Sequence, residues 1–157
     1  ISGFNWLIGE TVSVLADGGI CANTVISSTG VLTLQYPAAI VSVGYQYNSD
    51  GQLLRSHDGS AQGTAIGSTR RVNRAAFMLH NVGDFNIGPD FSRLTPCEFA
   101  TADYNSAGVA APLFTGIHRD GVESGGSAFS DTICFRQNSG LPGMVQACVR
   151  FLEENDV

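Results

Sequence analysis

The sequence has 157 residues, room for one ordinary domain or two small ones, and its 43% apolar content can build a packed core, which excludes intrinsic disorder. Only 14% of residues are charged, the formal net charge is -6, and all eight cations are arginines. That balance excludes a general attraction to phosphate backbones or anionic lipid.

No apolar run approaches the roughly 18 residues that cross a bilayer. The opening ISGFNWLIGE also lacks the basic-then-apolar order of a signal peptide, so a soluble chain without a membrane partner is expected. The start at Ile1 rather than methionine suggests a fragment or a processed product.

Nineteen glycines fall between short β-branched or aromatic runs, and no helical stripe is present. The pattern predicts an all-β fold: a small antiparallel β-barrel-like module over 1–47, a connection over 48–69, and a β-sandwich or jelly-roll-like module over 70–157. Residues 10–16 alternate, with Val12, Val14 and Ala16 on one face, and Asp17-Gly18-Gly19 supplies a hairpin turn. Strands over Ile20–Ser27, Val31–Leu34 and Ala39–Tyr45 complete the first module, with Trp6 expected in its core. The connection is rich in Gly, Ser and Asp.

The second module opens at Arg70-Arg71-Val72-Asn73-Arg74, and the apolar centre Ala75–Leu79 predicts a strand covered on both faces. A turn at Asn81–Asp84 and an irregular span to Pro112 follow. At the end, Phe129, Ile133 and Phe135 alternate on one strand and Val145, Ala147, Val149 and Phe151 on the next. Their apolar faces pair as a hairpin through Asn138–Gly143, which sets Cys134 opposite Cys148 on the other face. The four cysteines share no CxxC spacing and read as reduced thiols, with a Cys134–Cys148 bridge as the alternative.

The chemistry-bearing types do not converge on a catalytic site, a cofactor site or a metal site, and no enzyme is expected. His57-Asp58 and His118-Arg119-Asp120 supply bases without a GxSxG serine, and loop positions are their plain reading. Gly63–Thr69 has the glycines of a phosphate loop without its lysine. Asn48-Ser49-Asp50-Gly51 opens like a calcium loop without the closing glutamate, so an ordinary turn is expected. Acids such as Asp103, Asp120, Glu123 and Asp131 form no focus.

The charged cluster Arg70, Arg71 and Arg74 has, besides a remote third as a phosphate or DNA contact, two readings. In one, the guanidiniums pair with local acids such as Asp84 or Asp90. In the other they form a subunit interface, where arginine's planar fork suits carboxylates.

Taken in order, GETVSVLADG at 9–18, Gly30-Val31-Leu32-Thr33-Leu34, VSVGYQY at 41–47, GTAIGSTRRVNRAAFMLHN at 63–81, PLFTG at 112–116 and the final hairpin cover nearly the whole chain. This set resembles the C-terminal β-rich region of long phage tail proteins of the tubular-B, nozzle or head-to-tail stabilisation kind. The resemblance implies that the chain is the C-terminal portion of a longer protein, and that its first module is similar to small β-barrels inserted in other large proteins. It further implies a structural role in the virion tail, with other tail subunits as partners and a homo-oligomer as the assembled form. The alternative is a receptor- or glycan-binding module that meets a host surface glycan through the loops at 48–69 and 100–128, where Tyr104 offers an aromatic platform.

Overall fold

A computed structural model describes residues 1–55, 59–60, 63–64, 69–99, 108–122 and 131–155. Phe129 of the expected last hairpin, together with His57, Asp58, Asp103, Tyr104 and Glu123, lies outside the described residues. The chain is all-β, and among the described residues the one helical element is a single 3-10 turn, Asn5–Leu7. Strands β1 (Thr11–Ala16), β2 (Gly19–Val25) and β3 (Val41–Tyr45) precede β4 (Ser49–Gln52), β5 (Gly59–Ser60) and β6 (Gly63–Thr64). The long β7 (Thr69–Val82) leads to β8 (Asn86–Gly88), β9 (Thr95–Pro96), β10 (Ala111–Pro112), β11 (Phe114–Gly121), β12 (Cys134–Gln137) and β13 (Met144–Asn155). They form antiparallel sheets ordered β10-β2-β1-β3, β11-β7-β13 and β4-β12-β8-β9, with β5 and β6 as a separate pair.

The first sheet grows from the turn expected of it. Asp17 (φ 51°) and Gly18 (φ 78°) are both left-handed between the paired residues Ala16 and Gly19, the geometry of a type I′ hairpin turn. The Asp17 carboxylate then accepts the amides of Ala39 (3.1 Å) and Ile40 (2.7 Å), fixing where the chain enters β3. Val12, Val14 and Ala16 share one face and pack with Leu7, Cys21, Ile26, Leu32 and Tyr36.

That sheet is open rather than barrel-like, because β3 and β10 are its edges. The stretch Val31–Leu34 contributes only the bridge Ser2–Val31 instead of a strand. Gly30 (φ 68°) closes a turn in which its amide reaches the Ser27 carbonyl at 2.9 Å, and Leu32 drops fully buried into the core. Burial of one large side chain wins over ladder formation there.

The other two sheets enclose a second core. Phe77 from β7 meets Phe85 and Phe135, with Leu79, Ile87 and Ile133 around them. Ser49–Gln52, inside the expected connection, pairs with β12. The expected irregular span contributes β8, β9 and β10. The expected final hairpin does not form: β12 pairs with β4 and β8, whereas β13 pairs with β7. Cys134 therefore stands beside Gln52 and Gly88, Cys148 beside Phe77, and none of the four cysteines is in a disulfide.

In the turn after β8, Asp90 accepts the Ser92 amide at 2.9 Å and Arg93 Nε at 2.8 Å. The Arg93 guanidinium first, and the Ser92 hydroxyl second, hold its carboxyl down to about 2 from the usual 3.8. A depressed folded value makes this contact stabilising above the usual carboxylate range and lost as pH falls through about 2. A carboxyl-carbon NMR titration should therefore find an Asp90 midpoint near 2; a midpoint at 3.8 would mean that Arg93 is not held there in solution.

Candidate assembly surface

β7 is the central strand of its sheet, and its burial changes phase twice. Arg70 and Val72 face inward, then Ala75, Phe77 and Leu79, then Val82. An extra residue accounts for each change. Opposite β13, Arg74 pairs with Phe151 and Val72 with Leu152, so Asn73 is the extra residue of a bulge. Opposite β11, Leu79 pairs with Gly116 and Val82 with Phe114, a second bulge. Asn81 sits there at φ 52°, its amide bonded to Thr115 Oγ1 at 3.0 Å. Bulges re-aim side chains by one position and so keep separate apolar sets on one face.

The opposite face is left uncovered, so the centre of β7 is not buried on both sides as its sequence suggests. Ladder partners place Ile117, Met78 and Ala147 in one row, Arg119, Ala76 and Val149 in the next, and Gly121, Arg74 and Phe151 in a third. Ile117 is 60% exposed, Val149 54%, Met78 47% and Phe151 44%. On β13 the bulge at Gln146, between the pairs Val145–Leu79 and Ala147–Met78, turns Ala147, Val149 and Phe151 outward. Cys148 is packed against the core instead, where burial pushes its thiol up to about 11 against the opposing charge of Arg150. The face expected inward is the face that points out.

The arginine cluster divides across the sheet. Arg70 is buried on the inner face. Arg71 lies opposite Glu153 and donates from Nε to Oε2 at 2.7 Å. Arg74 is exposed beside Phe151 on the outer face. The two acids expected beside them have other partners: Asp90 holds Arg93, and Asp84 accepts the Asn138 amide at 2.8 Å. With Arg119, three of the chain's eight cations stand on the outer face, against the single described acid Glu153.

No protein-family model and no curated protein matches this chain.

Trp6 is 67% exposed instead of buried. It lies on the 3-10 turn, whose roughly 120° step per residue separates it from its neighbour Leu7, the residue that enters the core. The turn is fixed by Leu7 N to Phe4 O at 2.9 Å and Phe4 N to Gly30 O at 3.1 Å. Tyr45, at the end of β3, stands edge-on to Trp6 at 6.3 Å and 68°. Ile8 and Glu10 are exposed farther along the chain, the segment after Ile8 being tied back by Gly9 N to Ile26 O at 3.1 Å. Aromatic character in the sequence marked this residue without telling which side of the turn it takes.

The other singled-out residues have structural surroundings. His118 belongs to strand β11 rather than a loop, with the Phe99 ring at 5.3 Å. His80 lies exposed near the end of β7, paired with Met144. Asp50 is on β4, not in a turn, and a two-pronged bond from Arg136, at 2.6 and 2.7 Å, lowers its carboxyl below the usual range. Buried Asp131 receives Arg55 Nε at 3.3 Å. Among the described residues no three His, Cys, Asp or Glu side chains converge as metal ligands, and no helix is long and apolar enough to cross a membrane.

Proposed function

We propose that this chain is a non-enzymatic structural component of a phage tail, working through subunit–subunit contacts in the virion. The outer face of the β11-β7-β13 sheet is the observation that carries the assembly part of this reading. Its half-exposed Ile117, Met78, Val149, Phe151 and Met144 leave on the order of 500 Å² of largely apolar surface uncovered, the upper part of the range for the largest patch on a monomer, which is often functional. Arginines at the margin add donors that suit a protein interface. The face is rigid because β7 is bonded on both sides and Phe77 anchors it from beneath.

The tail part of the reading rests on the ordered segments from GETVSVLADG at 9–18 to PLFTG at 112–116. An antibody raised against the purified chain should label the tails of virions whose genome encodes it, as seen by immunogold microscopy. Label confined to heads, or virions without label, would remove the proposal.

A further inference from the structure

The edges of the three larger sheets differ in how they are guarded. β10 and β9 end in Pro112 and Pro96, β4 carries Asp50, β11 carries Arg119, and β13 carries Arg150 and Glu153. Charge, proline and bulges are the devices that keep a sheet edge from adding another strand. β3 has none of them: its register with β1 is unbroken from Val41 to Tyr45, and residues 18–49 hold no charged side chain. We infer that β3 is an acceptor edge, which takes one extended, uncharged segment of a different protein as an added strand. This site is separate from the outer face of the β11-β7-β13 sheet, and the inference does not rest on the tail reading.

The phase of the ladder decides which groups are on offer. Asp17 donates its amide to the Ile40 carbonyl at 2.8 Å, and bonded pairs recur at every second position of an antiparallel ladder. Leu15–Ser42 and Ser13–Gly44 are therefore the bonded pairs, whereas Val41, Val43 and Tyr45 turn their N–H and C=O groups to the open side. The hairpin agrees, since Ala16, flanking a two-residue turn, is bonded to Gly19 and so turns away from Val41. Both ends of this row are closed. The Asp17 carboxylate takes the Ala39 amide at 3.1 Å. A Cβ at Gly140 would lie 2.2 Å from the Tyr45 carbonyl oxygen, so that loop stands where a longer partner would run. Val41 and Val43 remain, each with a donor and an acceptor facing out.

The chemistry selects the occupant. Donors and acceptors alternating at a two-residue repeat match the backbone of another extended chain. With no cation on this strand, a nucleic acid or an acidic peptide gains nothing there from charge. Val41 and Val43 lie half-buried at the margin of the first core, as do Leu34 and Ala38, so an added strand lengthens that core when its alternate side chains are apolar. A second copy of β3 fits less well. Antiparallel pairing about Ser42 would bring the second copy's Ala39, with the Asp17 carboxylate that clasps it, to Tyr45, where Gly140 already lies. A free segment with no sheet of its own meets no such obstacle.

Amide hydrogen exchange, followed by NMR on the intact chain, tests this residue by residue. Without a partner, Ser42 and Gly44 should exchange slowly and Val41 and Val43 fast. The probe is the peptide acetyl-Lys-Thr-Val-Thr-Val-Thr-Lys-amide, with valines at the strand period and lysines at its ends for solubility. At millimolar concentration, the range that a short ladder of modest net bonds reaches, it should slow Val41 and Val43 on the order of tenfold. The bonded partners of Val41 and Val43 share their face, so the probe's valines supply the donors. The same peptide N-methylated at both valines keeps the charge and should have no effect. Val43→Pro removes an outward donor and no ladder bond, a change that an edge strand tolerates, and should keep the fold while abolishing the protection at Val41.

Val41 and Val43 already as slow as Ser42 and Gly44 in the dilute chain, no slowing by the peptide, or equal slowing by its N-methylated form overturns the inference. So does slowing that survives in a folded Val43→Pro chain. Slowing that rises with the concentration of the chain alone gives the edge to a second copy and overturns it as well. Each of these results leaves the immunogold test of the tail reading untouched.

Discussion

Phe77→Ala should destabilise the fold by about 3–5 kcal/mol, the range for removing a fully buried aromatic ring from a core that relaxes only partly. Phe77 is 0% exposed and edge-on to Phe85 at 5.1 Å and to Phe135 at 5.8 Å, and those two rings stack on each other at 5.6 Å. With Leu79 and Val82 it is a side chain through which the β11-β7-β13 sheet holds the other sheet of the second core. Phe151→Ala, on the outer face of the same sheet and 44% exposed, should cost under about 1 kcal/mol, as surface changes do. Urea midpoints at unchanged m values separate the two. Equal losses at Phe77 and Phe151 would mean that the outer face is covered within the chain, and the assembly surface would go with it.

That pair of residues also marks how far the sequence could be read. Asp17-Gly18 specified its hairpin because two adjacent left-handed positions are a local demand that Asp and Gly meet at little cost. The alternation of Val12, Val14 and Ala16 located the first core for the same local reason. The direction of β13 was not local. Alternation groups Ala147, Val149 and Phe151 on one face but does not say which face is covered, and the bulge at Gln146 puts Val145 on the other.

The partners of β12 and β13 were equally hidden, since a short Gly-containing connection fits a hairpin as well as a crossing between sheets. Ser49–Gln52 carries no apolar residue and reads as a loop, yet β12 recruits it through a ladder and the Asp50–Arg136 pair. Of the candidate site, Arg71 and Arg74 were visible as charges, but the bulge at Asn73 decides that Arg74 shares a face with Phe151 while Arg70 turns inward. Trp6 was misplaced because burial of Leu7, its neighbour on a tight turn, directs it outward.

Gly140→Ala should cost about 3 kcal/mol, the upper end for forcing atoms into a packed site. A Cβ at Gly140 would lie 2.2 Å from the Tyr45 carbonyl oxygen and 3.2 Å from the Tyr47 ring, and the first of these neighbours is backbone that cannot swing aside. The loop around it is held from two directions. Asp84 accepts the Asn138 amide at 2.8 Å and the Ser139 hydroxyl, while Ser13 Oγ accepts the Gly140 amide at 3.1 Å and Gln46 Nε2 donates to the Asn138 carbonyl at 3.0 Å. Ser13→Ala removes only one of these bonds and should cost about 1–3 kcal/mol, because it strands a partly buried amide.

The loop joins β12 to β13 and touches β1 and the end of β3, so it sets the first sheet, with Tyr45 and Trp6, at a fixed distance from the outer face of the β11-β7-β13 sheet. A Gly140→Ala chain that remains folded should therefore unfold at lower urea, since the added methyl pushes the loop away from the end of β3 and strains the bonds that hold it to β1. A wild-type urea midpoint in that variant would show that the close approach of Gly140 to β3 is not what couples the two parts.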